Sequence, residues 1–204
     1  MPIRAAIFST LVFQVFCASS LAQSGVNLRD ETDAKAFRVF TVFMEACVFG
    51  HTGKEGRVNT LDSHPALRRM PIPPESKAAA IGRLIWMAPE NVFVVLEPNL
   101  NCRSVVSDEK LKGRFEKFIE NADLGKSGQA GSAKFQESDH LSEKQRDEYK
   151  SRNLTIKTYL LRTSNSNLGV FLTLEESIAP SPGSYASRLS AAYITFADET
   201  GGGK

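Results

Sequence analysis

From residue 32 to residue 48 the apolar positions Phe37, Phe40, Met44, Cys47 and Val48 recur three and four residues apart. That spacing puts them on one face of a helix that starts near Thr32 and Asp33 and stops at Gly50. The next stretch, 50–76, is broken by Gly and Pro and reads as a loop with a short helical turn. Pro71, Pro73 and Pro74 forbid a continuous helix there. Lys77 to Leu84 reads as a short helix ahead of Trp86. Val92-Phe93-Val94-Val95-Leu96 is an unbroken apolar run, followed by turn residues 97–101 and a second strand, Cys102 to Val106. The two form a hairpin, and the lack of polar alternation in the first predicts that both its faces are covered. Ser107-Asp108-Glu109 then opens a second amphipathic helix, with Leu111, Phe115, Phe118, Ile119 and Ala122 on one face and Gly113 as its weak point.

The period then changes. Residues 125–138 are small and polar, and 142–152 are rich in helix formers but polar nearly all round. From Leu154 onward apolar residues alternate with their neighbours, through a turn at 164–167 and again from Leu168 to Leu174. A Pro-Gly loop at 179–184 precedes a further strand, Arg188 to Phe196. These are three strands of an antiparallel meander. The element order is helix, hairpin, helix, meander. The simplest packing is an α+β domain: a five-stranded antiparallel sheet with flanking helices. It spans residues 23–200, with a polar insertion at about 125–152 and a flexible tail at 201–204.

The first 22 residues stand apart. Met1 to Arg4 is a short positive region, Ala5 to Phe16 carries no charge, and Ser20-Leu21-Ala22 has small side chains where a signal peptidase needs them. This is the pattern of a secretory signal peptide, and its apolar run is shorter than the roughly 20 residues that span a bilayer. Cleavage after Ala22 discards Cys17. Lipidation of Cys17 is disfavoured, because Phe16 and Gln14 occupy the positions where that processing wants a small residue and Leu. The exported chain, placed in the periplasm or outside the cell, keeps Cys47 and Cys102. In an oxidising compartment these two are expected to pair, stapling the first helix to the second strand. Closing so long a loop is worth about 4 kcal/mol by the chain-entropy argument.

Phe43-Met-Glu-Ala-Cys47 and Asn101-Cys102-Arg103-Ser-Val105 also carry a resemblance. A Phe-x-x-x-Cys helix soon after a signal peptide, followed by a Cys-Arg-x-Val hairpin strand, resembles a group of small exported proteins of Gram-negative bacteria with no defined activity. The resemblance implies export and the Cys47–Cys102 pair. It implies no chemistry.

Charge narrows the partners. Removing residues 1–22 takes away Arg4 and no acid, leaving 24 basic and 23 acidic residues and a net charge of +1. Such balance makes no electrostatic case for nucleic acid, and Arg68-Arg69 reads as a solvated loop pair. After signal cleavage no second apolar stretch is long enough to cross a membrane.

The chemistry-bearing residues are sparse. His51, His64 and His140 fall in predicted loops and show no metal-ligand spacing. Asp62-Ser63-His64 has the residue types of a nucleophilic triad, but adjacent loop residues rarely reach one another in that geometry. Gly50-His-Thr-Gly53-Lys54 is too short for a phosphate loop and follows a helix. Glu137, Asp139 and His140 form at most a weak metal cluster, and Glu175-Glu176 reads as a solvated strand end. No cofactor and no metal site are predicted. The candidate binding residues are Trp86, Tyr159, Leu161 and Phe171, the last three read as sharing one sheet face. The leading functional reading is a non-enzymatic interaction or inhibitor-type protein with a protein partner. The alternatives are a small-ligand-binding or sensory module using the sheet face, and a hydrolase with dispersed catalytic residues.

Overall fold

The computed structural model describes residues 28–49, 53–122, 135–162, 168–181 and 184–195. The signal segment 1–22, His51, the turn at 164–167 and the tail at 201–204 lie outside the described residues.

Asp30 caps the first helix, α1, by accepting a 2.9 Å hydrogen bond from the Asp33 amide. α1 runs Glu31–Phe43 and continues as a π-turn, Met44–Val48, that carries Cys47. It packs its apolar stripe, with Phe40 and Phe43 buried, against the sheet. The expected loop at 50–76 contains a regular helix, α2 (Lys54–Ser63), ahead of the prolines. A short α3 (Lys77–Ala80) follows. The second amphipathic segment is not one helix. A capped 3₁₀ turn, Glu109–Leu111, is separated from α4 (Phe115–Asn121) by Gly113 at φ +72°. Leu111, Phe115, Phe118 and Ile119 are nevertheless all buried, so the apolar face survives the break. The polar helix α5 (Glu143–Ser151) begins at a capping box of Ser142 and Gln145 and buries none of its residues.

The sheet corrects the expected count. It has eight antiparallel strands, not five, in the order β1-β2-β3-β4-β8-β7-β6-β5. The expected ones are β3 (Val92–Leu96), β4 (Cys102–Val106), β6 (Leu154–Arg162), β7 (Leu168–Ser177) and β8 (Ser187–Thr195). The additional ones are β1 (Arg68–Arg69), β2 (Leu84–Ala88) and β5 (Phe135–Glu137). Where a helix was expected to run up to Leu84, β2 begins and pairs with β3. The chain reverses between them through Glu90 and Asn91 at φ 62° and 56°, a left-handed turn made without glycine. β1 and β5 are too short for an alternating period to reveal them.

Strand period and register divide the sheet into two faces. The inward face carries Trp86, Val94, Cys102, Tyr159, Leu172 and Leu189, all buried under the α1 layer. Cys47 and Cys102 form a disulfide with Cα atoms 5.3 Å apart, 55 residues apart in sequence, joining α1 to β4. Tyr193 reinforces the same junction by donating a 2.6 Å hydrogen bond to the Val48 carbonyl. The outward face is covered on one half only. The segment 138–151 lies against β6 and β7, where the His140 ring meets Phe171 edge-on at 5.6 Å. Over β2, β3, β4 and β8 the described residues leave the outward face partly open: Phe93 is exposed, Ile85, Met87, Arg103 and Val105 are half-buried, and Val95 is buried. Both faces of β3 were expected to be covered; on the outward face Val95 is buried, and Phe93 is 37% exposed.

Candidate interaction face

The register places one outward row across the open half of the sheet. Arg188 on β8 pairs with Val105 on β4, Val105 with Phe93 on β3, Phe93 with Met87 on β2, and Met87 with Arg68 on β1. All five side chains share the outward face because directly opposed residues of antiparallel strands point the same way. The row is thus an apolar centre, Val105-Phe93-Met87, with an arginine at each end. Ile85 and Val95 lie beside it in the next row, together with Arg103.

A charged belt crosses the same face. Arg83 Nε donates a 2.8 Å hydrogen bond to Glu97 Oε2, and Arg103 Nη2 lies 2.8 Å from Glu97 Oε1 as an ion pair. Farther along, Arg188 pairs with Glu175, whose other contact is a 3.1 Å hydrogen bond from the Tyr185 hydroxyl. The two carboxylates are buried, Glu97 at 7% and Glu175 at 4% exposure, and each is matched by an ion pair. In sheet order the belt reads plus, minus, plus, plus, minus. The like-charge step is between Arg103 and Arg188, which are diagonal neighbours because Arg103 pairs with Ser190, two residues beyond Arg188. Burial lowers the Arg103 pKa from its usual value. The Glu97 charge opposes that shift, and the neighbouring Arg188 adds to it. The Nε atoms of both arginines are enclosed without a hydrogen-bond partner among the described residues.

The structure places the four sequence-picked binding residues on two faces. Trp86, Tyr159 and Leu161 are buried on the inward side. Trp86 Nε1 donates a 2.8 Å hydrogen bond to Asp62 Oδ1, and the Arg69 guanidinium lies over the ring at 5.6 Å. Phe171 pairs with Leu160, not with Tyr159 or Leu161, so it points outward. The expectation that the three share a face is therefore corrected by a register of one residue. Phe93, Met87, Val105, Arg68, Arg103 and Arg188 were not among the binding residues expected from sequence. Their signal is present in the alternation of Cys102, Ser104 and Val106 with Arg103 and Val105, and of Leu189 and Ala191 with Arg188 and Ser190.

Asp62, Ser63 and His64 do not converge. Asp62 serves Trp86 and Arg69, and Ser63 Oγ donates to the Thr60 carbonyl. His64 Nδ1 accepts a 3.1 Å hydrogen bond from the Ala66 amide, so its Nε2 carries the proton donated to Glu45 Oε2 at 3.0 Å. A ring held in this way has no free lone pair with which to take a proton from a nucleophile. A shallow depression lined by Glu31, Thr32, Lys35, Asp108, Lys110 and Leu111 has a mostly charged wall. Among the described residues no group of three or more His, Cys, Asp and Glu side chains is placed to hold a metal ion, and no helix is long and apolar enough to cross a membrane.

Comparison of the chain with protein-family models, with curated proteins and with solved structures found no match.

Proposed function

We propose that this chain is an exported interaction protein of binding or inhibitor type, working in the periplasm or outside the cell, and that it engages a partner protein through the open half of its sheet. The observation that carries this reading is the row Arg188-Val105-Phe93-Met87-Arg68, an apolar strip with an exposed phenyl ring at its centre and arginines at its ends. Exposed aromatic and arginine side chains grouped about an apolar centre are the composition that protein interfaces favour. The signal-like segment 1–22 and the Cys47–Cys102 disulfide support the compartment, since such bonds persist where the medium is oxidising.

The test is co-purification after chemical cross-linking, from the envelope and medium of the producing cells, with the tagged mature chain and its Phe93→Asp variant as baits. A charge at the centre of the strip is expected to deplete the specific partner about tenfold or more, the effect of losing one interface hot spot. Equal recovery by both baits removes the open face from the function.

A further inference from the structure

The like-charge step in the belt narrows the kind of partner. Arg83, Glu97, Arg103, Arg188 and Glu175 come from neighbouring parts of the sheet, and all five are already in an ion pair along the belt. The junction of Arg103 with Arg188 is the step that sets like charges next to each other. Strand register makes Arg103 and Arg188 diagonal neighbours there, and each is tied to a buried glutamate. Their side chains are 24% and 17% exposed. Arg68, at the far end of the strip, is exposed as well. The carboxylates of the face, by contrast, are both buried and engaged. The surface that meets a partner is therefore positive around an apolar centre.

We propose that the partner docks an acidic segment here: a carboxylate of the partner bridges Arg103 and Arg188, and an apolar side chain beside it lies on Phe93, Met87 and Val105. Charge complementarity selects this occupant over a second copy of the same chain. A two-fold contact through this face sets arginines against arginines, and like-charge juxtaposition across an interface is costly. A carboxylate at the junction makes forked contacts for which guanidinium is suited and lysine is not. The inference rests on the reading of the open face as the interaction surface.

The experiment separates the two. Phe93 is replaced by the photo-reactive p-benzoylphenylalanine in the full chain, in the cells that produce it, and the cross-linked partner peptide is identified by mass spectrometry. The same replacement at the inward residue Leu172 sets the background. A peptide with Asp or Glu within about one helical turn or two strand positions of the cross-link supports the proposal. So does a yield that falls about tenfold in a Glu97→Gln/Arg103→Gln background. That double variant removes both charges of the Arg103–Glu97 pair together, where a lone Arg103 substitution leaves the buried Glu97 Oε1 without its ion pair. A specific cross-link to a peptide without acids, or one whose yield ignores the double variant, overturns the acidic partner and leaves the open face standing as the interaction surface. A cross-link no stronger than at Leu172 overturns both. A cross-link to a second copy of the chain overturns the heterologous partner.

Discussion

The Tyr159 phenol lies on the inward face with its oxygen enclosed and without a hydrogen-bond partner among the described residues. Burial raises its pKa above the ordinary 10.0, and the charges of Glu116, Glu120, Glu137 and Glu176 push in the same direction. The folded state therefore holds the phenol proton more tightly than the unfolded chain does. Below about pH 10 both states are protonated and Tyr159 contributes no pH dependence. Above that value the unfolded chain releases its proton first, so stability falls with rising pH, by up to about 1.4 kcal/mol per pH unit for this one group. Tyr185 and Tyr193 are raised by burial too and act with the same sign. Denaturant unfolding of wild type and Tyr159→Phe from pH 8 to 11 checks this. The variant is expected to be at least as stable at pH 8, because an unpaired buried hydroxyl is removed, and to lose stability less steeply above pH 10. Parallel curves for the two proteins rule out Tyr159 as a source of the alkaline slope.

At the scale of elements, Gly113 decides where α4 begins. Its φ of +72° is a backbone state that side chains disfavour, and a Cβ built there meets nothing within 4 Å. Gly113→Ala is therefore expected to cost about 1 kcal/mol, all of it backbone strain, read as a shift in the denaturation midpoint. A cost above about 3 kcal/mol means a packing clash that this geometry does not contain. The glycine also shows what was legible beforehand. The apolar face from Leu111 to Ile119 followed from spacing alone, because burial of those side chains is what the spacing records. The break did not follow, since a periodic pattern can be kept across a kink. In the same way α1, β3, β4 and the Cys47–Cys102 staple were readable: a long apolar stripe, a β-rich run and two remaining cysteines each have few other outcomes. β2 was hidden because Pro89-Glu90-Asn91 turns the chain with left-handed Glu and Asn instead of the glycine that marks a hairpin. Phe171 was assigned to the wrong face because alternation within a strand sets only relative sides, and the register between β6 and β7 is a tertiary fact.

For the whole molecule, the consequence of half-covering one sheet is that adjacent residues answer to different demands. On β3, Val94 points inward at 0% exposure and Phe93 outward at 37%. Phe93 is the larger side chain, and composition alone ranks its truncation as the more damaging. The two-faced architecture reverses that order. Val94→Ala opens a cavity between the sheet and the α1 layer and is expected to cost about 2 kcal/mol. Phe93→Ala removes a ring that is already partly in water, so it is expected to cost less than Val94→Ala, about 1 kcal/mol. Equilibrium denaturation of the two variants under identical oxidising conditions compares them directly. If Phe93→Ala is the more destabilising, the outward half is covered in the folded chain and the case for a partner at that face collapses. With the expected order, the phenyl ring is a group that folding does not need in place, set by register between two arginines. The stability of β3 then rests on Val94 and its inward neighbours more than on Phe93.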